Sequence, residues 1–255
     1  MVEIDKIREY LGEYNANYVI IGGIACNLHL QEADIKGRAT KDVDMIVVCE
    51  AITPEYLRQF WKFINDGGYK IHTDNSEKRR YYRFIKPTTP KFPPYIELFS
   101  KQPEAIWLPQ DAHITCLKMD EEYLSSFSAI LMADDYYNYA VSHSSEIQGV
   151  RVLDKDALIV LKAKAYLNNK IRKAEGDIVH QTNIAKHKND VYRLSHLFSD
   201  EERHELPNDI KNDLTDFLSQ LNADPITTKE ITKSMEIAEV PMLQFIQRIK
   251  IIFQL

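Results

Sequence analysis

Residues 18–48 read YVIIGGIACNLHLQEADIKGRATKDVDMIVV, and this stretch decides the fold. Tyr18 to Ile21 is a short apolar run closed by Gly22-Gly23, which reads as a buried strand ending in a glycine turn. Ile24 to Leu30 starts a helix from that turn. Residues 32–41 are polar, carry Gly37 and read as a loop. Asp42 to Val48 is β-rich and reads as a second strand.

Asp42 and Asp44 flank Val43 at the entrance of that second strand. Residues i and i+2 of a strand point to one face, so the two carboxylates sit side by side and repel unless a cation bridges them. Mg²⁺ prefers such oxygen ligands and fills its shell with water and phosphate. Glu97 lies in a second apolar run, Tyr95-Ile96-Glu97-Leu98-Phe99. Beside the first strand it would bring a third carboxylate to the same place. Each acid alone has a plainer reading: a short DxD also fits a solvated face or turn, and a lone strand glutamate also fits a salt bridge. Gly22-Gly23 adds weight, because glycines after a strand let backbone N–H groups approach a phosphate at a helix N-terminus.

Outward from this core, Ile4, Ile7, Leu11 and Tyr14 have helical spacing and predict an opening amphipathic helix. Pro54 to Asp66 reads as a helix with proline in its first turn and Gly67-Gly68 at its end. Tyr69 to His72 and Arg80 to Ile85 are further strands, and KPTTPKFPP (86–94) is an extended loop. Residues 113–150 mix strand and helix. After Val150 the pattern turns helical. Asp154 caps a helix through ALIVLKAKAYL, and helices follow near 183–198, 209–221 and 228 onward, broken near Pro241. The expected class is α+β, with a mixed-sheet domain over 1–150 and a helical domain over 151–255.

YVIIGGIACNLHL, GRATKDVDMIVV and YIELFS, in that order, resemble the nucleotidyltransferase superfamily related to polymerase β. With Arg38 and Thr40 just before Asp42, the form is similar to its AbiEii-like branch, toxin components of abortive-infection systems. The resemblance covers roughly residues 15–100 and continues more thinly into the helical half. There the branch carries a helical lysine, matched by Lys162, and an aspartate at the start of a later helix, matched by Asp190. The plainer readings are a solvated lysine and an ordinary N-terminal helix charge.

The resemblance implies transfer of an NMP from a nucleoside triphosphate to an acceptor hydroxyl by two-metal Mg²⁺ chemistry. Asp42, Asp44 and Glu97 would form the metal site, with Glu97 alternatively the base. Gly22, Gly23 and Thr40 would cradle phosphate. Lys162 would neutralise the leaving pyrophosphate, with Asp190 as a further catalytic group. It also implies RNA or tRNA as acceptor and an antitoxin protein as partner. A small-molecule or protein acceptor, and a catalytically silent nucleotide-binding module, stand as alternatives.

Composition narrows the rest. A net charge of −6 over 255 residues argues against a general DNA-coating protein but permits a local basic groove. Two basic clusters qualify: Lys78-Arg79-Arg80 with Arg83, Lys86 and Lys91, interleaved with Tyr81, Tyr82 and Phe84; and Lys162 to Lys173 with Lys186 and Lys188. Stacking and phosphate contact would suit RNA, while a strand alternating between core and solvent fits the first cluster equally well. Cys26, Cys49 and Cys116 form no CxxC pair, so reduced thiols in the cytoplasm are expected. The opening MVEIDKIREY has neither a basic nor an apolar leader region, and the apolar runs are too short for a membrane span. There is no P-loop and no HExxH. His180 and His187 read as polar helix or loop residues.

Overall fold

The structure is a computed structural model that describes residues 2–73, 79–101, 114–116 and 128–255. The class is α+β, with a mixed sheet. The chain divides into two compact units, Met1–Ala25 with Thr40–Leu153, and Cys26–Ala39 with Asp154–Leu255. Residues 26–39 thus belong with the helical part, although the sequence places them before residue 150.

In the first unit, α1 (Val2–Leu11) leads into β1 (Tyr18–Ile21), and α2 (Gly22–Glu32) begins directly at the first glycine. The expected glycine turn is therefore the first turn of the helix itself. β2 (Val43–Val47) runs antiparallel to β1, with Ile21 opposite Asp44. α3 (Pro54–Gly67) follows the chemistry of its ends. Thr53 accepts a hydrogen bond from the Tyr56 N–H at 3.2 Å, Pro54 occupies the first turn, and Gly68 closes the helix at φ 62°. Its buried residues Tyr56, Leu57, Phe60, Phe63 and Ile64 recur at helical spacing and make one apolar face.

β3 (Lys70–Thr73) and β4 (Arg79–Ile85) pair antiparallel, and β4 pairs antiparallel with β5 (Tyr95–Ser100). Phe84 of β4 meets Phe60 of α3 edge-on at 5.7 Å, so the helix packs its aromatic face on the sheet. β5 runs parallel to β2. On its other side its last residues, Phe99 and Ser100, pair with β7 (Ser128–Leu131), which also pairs with β6 (Ile114–Cys116). After α4 (Asp134–Ser142), the hairpin β8 (Ser144–Ile147) and β9 (Val150–Leu153) joins the sheet through a parallel bridge from β9 to β1. The strand order along the main path is β3-β4-β5-β2-β1-β9-β8.

In the second unit, α5 (Lys155–Ala174) packs on α6 (Gln181–Ser195) and α7 (Asn208–Gln220), with α8 (Thr228–Met235) and α9 (Met242–Ile252) against α6. Asp154 stands at the N-cap position of α5, but among the described residues its side chain makes no cap hydrogen bond there. Pro241 separates α8 from α9 and sits just before the first residue of α9, where a missing N–H costs nothing. Cys26 and Cys49 are free thiols. Among the described residues no helix is long and apolar enough to cross a membrane.

Candidate functional site: a carboxylate row on the sheet and a buried charge cluster

The parallel pairing of β2 with β5 sets Asp44 beside Glu97, and the antiparallel pairing of β5 with β4 sets Glu97 beside Arg83. Three charges therefore lie in one row across three strands, each about 5 Å from the next. Alternation puts them on one face of the sheet. Ile96 and Leu98 are buried on the other face, while Tyr95, Glu97 and Phe99 are half-buried. Asp42 lies just before β2 and is exposed, and Asp44 is half-buried.

Tyr95 reports how closely these groups gather. Burial pushes its phenol up, Glu97 pushes it further, Arg83 opposes, and Asp44 and Asp42 add to the rise. All four charged side chains are thus within electrostatic reach of one hydroxyl. Asp44 also touches the glycine turn. A Cβ on Gly22 would lie 2.0 Å from Asp44 Oδ2, and Gly22 has φ +74°. The carboxylate therefore occupies the space a side chain would fill, at the N-terminal turn of α2, where the helix dipole favours negative charge. Gly22→Ala is expected to cost about 1–2 kcal/mol of backbone strain and to displace the Asp44 carboxylate. A thermal melt and a Mn²⁺ titration of the variant, both matching the wild type, would refute this. Gly23 is buried within α2, and Thr40 is half-buried in the loop before Lys41, which is exposed.

Oxygen donors at Asp42 and Asp44 suit a hard divalent cation, and the glycine cradle leaves room for the carboxylate to serve it. Glu97 is engaged by Arg83 through one of its two oxygens. Arg83 Nε donates to Glu97 Oε1 at 2.7 Å, and Arg83 Nη2 donates to the same oxygen. Among the described residues, no three His, Cys, Asp or Glu side chains are arranged to hold a metal ion. Arg83 carried no role in the sequence beyond membership of a basic cluster, because register across two hairpin strands is invisible locally.

Lys162 and Asp190 meet within the second unit. Lys162 Nζ donates to Asp190 Oδ2 at 3.0 Å, and the two residues are 5% and 1% exposed. Neither plainer reading holds: Lys162 is not solvated, and Asp190 lies in the second half of α6 rather than at its start. Asp190 also accepts from Arg38 Nε at 2.9 Å and Nη2 at 3.1 Å, and from Arg193 Nη1 at 3.2 Å. One carboxylate thus serves three cations. Arg38 is delivered to it by Asn27, whose Nδ2 donates to the Arg38 carbonyl at 2.7 Å. Burial alone would raise the Asp190 carboxyl, but Lys162 and Arg38 outweigh it and hold it well below the usual carboxylate range. Burial works against the Lys162 ammonium, and the Cys26 and Asp190 side chains offset it, so the lysine stays charged. The competing Lys164 pairs instead with Asp213 at 2.7 Å.

His187, expected to be merely polar, is largely withdrawn from water. Burial, reinforced by Lys162 and Lys186, pushes it down to about 3, and its Nδ1 has no hydrogen-bond partner among the described residues. Burial likewise pushes His196 down to about 4. Both are neutral in the fold and take up protons in the unfolded chain below its ordinary histidine pKa of about 6.5. Stability conferred by the neutral form is complete above that value and is lost as pH falls toward 3. The unfolding free energy should drop by about 1.4 kcal/mol per pH unit for His187 alone, with His196 acting in the same direction. Urea titrations from pH 7 to 4 check this. His187→Gln should flatten the slope, and an unchanged slope would reject the assignment.

The basic clusters divide between exposed and buried side chains, with Lys86 and Lys91 of the first cluster exposed. Lys78 lies outside the described residues, as do the side chains of Arg79, Arg80 and Tyr81. Tyr82 and Phe84 are buried and so withdrawn from any base, because β4 alternates and both point into the core. Lys162 and Lys188 are buried in ion pairs with Asp190 and Asp224. Arg172, Lys173 and Lys186 remain exposed on the second unit. No family model matches the chain, and no curated protein matches it in sequence.

Proposed function

We propose that the chain is a Mg²⁺-dependent nucleotidyltransferase that moves an NMP from a nucleoside triphosphate to an acceptor hydroxyl. The observation that carries this reading is the placement of Asp44. It stands against the Gly22 turn at the start of α2 and in register with Glu97 on a parallel neighbour. Asp42 and Asp44 hold the cation, which supplies positive charge to the triphosphate. The backbone at Gly22 and Gly23 and the Thr40 hydroxyl bind phosphate oxygens. Glu97 accepts the proton of the acceptor hydroxyl as its oxygen attacks the α-phosphorus, and the bond to the β-phosphate oxygen breaks with pyrophosphate leaving. Lys162 and Asp190 enter as the pair that holds the helical unit together.

The acceptor we favour is RNA; this, a toxin-like role and an antitoxin partner rest on the family resemblance alone. Incubation of the full chain with each of four labelled triphosphates, Mg²⁺ and total RNA should transfer label to RNA. Transfer to a small molecule or to protein in the same mixture would change the acceptor. Arg83 on Glu97 favours one second reading, a silent nucleotide-binding module. Nucleotide binding with no transfer to any acceptor would establish it.

A further inference from the structure

An arginine commonly grips a carboxylate fork to fork, with two parallel N–H···O bonds that use both oxygens. Arg83 and Glu97 depart from this. Register sets them opposite each other on β4 and β5, and Arg83 Nε and Nη2 both donate to Oε1, the former at 2.7 Å. Among the described residues, Oε2 makes no hydrogen bond or ion pair. The guanidinium is itself held in place. Its carbon lies 5.6 Å from the centre of the Tyr82 ring and 5.8 Å from that of Tyr95, and Tyr82 is buried. Burial works against its charge, yet Glu97 outweighs burial and the net shift is upward, so the arginine stays charged.

A glutamate on a sheet face has three side-chain torsions to settle, the last of them broad. Left alone, its carboxylate would spread over many orientations. Two donors on one oxygen remove that freedom and leave the other oxygen unshared. β4 supplies the grip on one side of Glu97, while β2 sets Asp44 on the other. An ion pair that only tied β4 to β5 would gain from engaging both oxygens and would need no open one.

From this one-sided grip we infer that Arg83 is a positioning residue: it holds Glu97 by Oε1 so that Oε2 meets the acceptor hydroxyl. The acceptor proton passes to Oε2, the acceptor oxygen bonds to the α-phosphorus, and the bond to the leaving pyrophosphate breaks. Arg83 touches no substrate and acts through Glu97. This rests on the nucleotidyltransferase reading and adds to it how the base is aimed.

Two measurements test it, the first without any turnover. In ¹H–¹⁵N spectra of the full, nucleotide-free chain, the Arg83 Nε–H should resonate apart from the solvent-exposed arginines, and Glu97→Gln should return it among them. The second is label transfer from the triphosphate to total RNA with Mg²⁺. Arg83→Gln should lower kcat by about 10–100-fold, the cost of a misplaced group, and leave the triphosphate KM within about twofold. Arg83→Lys keeps the charge without the two-donor edge and should lose about threefold to tenfold in kcat, again at unchanged KM. Because the two residues act as one unit, Arg83→Gln should cost less than about twofold in a Glu97→Gln background. Losses that multiply, a loss confined to KM, or wild-type kcat in either folded Arg83 variant overturns the role of Arg83. So does an Nε–H resonance that ignores Glu97→Gln. If Arg83→Gln fails to fold, Arg83→Lys and the spectrum decide. Absence of transfer by the wild type to RNA, small molecule or protein overturns the nucleotidyltransferase reading and the aim of Oε2 with it, even where the spectrum shows the grip.

Discussion

Asp190→Ala is expected to destabilise the helical unit by about 3–5 kcal/mol, the cost of leaving buried charges without their counter-ion. Arg38, Lys162 and Arg193 all donate to this one carboxylate, which is 1% exposed. Its removal strips the cluster of its negative charge while three positive ones stay behind. Lys162→Met should cost less, because Asp190 then keeps Arg38 and Arg193. Asp190→Asn keeps the shape without the charge, and its cost should approach that of Ala if electrostatics rather than packing dominates. Far-UV circular dichroism in a urea series follows the second unit, whose ordered segments are mainly helical. A loss below about 1 kcal/mol for Asp190→Ala would mean that water or a movement of Arg38 relieves the cluster.

The second large effect belongs to the proposed nucleotidyl transfer. Asp44→Asn should lower nucleotidyl transfer by about 10²–10³-fold, the usual consequence of removing one preorganised charge from a transition-state site. The substitution keeps size and shape beside Gly22, so folding should be spared and the loss confined to charge. Asp42→Asn should cost less, because Asp42 is exposed and precedes the ordered strand. Single-turnover rates with saturating Mg²⁺ and nucleotide separate this loss from weakened binding. Full transfer activity in the Asp42→Ala/Asp44→Ala double variant would remove these carboxylates from the chemistry.

The first-unit elements were legible in the chain because their signals are local. Thr53-Pro54 and Gly67-Gly68 mark both ends of α3, the runs at 18–21 and 95–99 are apolar, and DVDMIVV has the β-rich pattern of a strand. Asp42, Asp44 and Glu97 stood out as acids in or beside apolar strands, a costly position that invites an explanation. The helical half was readable as helices, but boundaries moved: α5 runs to Ala174 and α6 begins at Gln181. Asp190 lies in the interior of α6, as it also does in the helix expected near 183–198, so what fails is only its comparison with an aspartate at a helix start.

What the sequence by itself determined, then, is which segments become strands and helices and which carboxylates stand out from them. Periodicity, caps and glycines act over a few residues and need no partner. Only the tertiary structure decided which charge meets which. Strand register put Arg83 on Glu97, fourteen residues away in sequence. Helix packing and the Asn27 clasp put Arg38 on Asp190 across 152 positions. Pairings of that kind depend on which oxygen faces which nitrogen after the chain has closed, and no local pattern encodes it. The DxD pair stands out in the sequence; only strand register sets Arg83 beside Glu97 in the same row of the sheet.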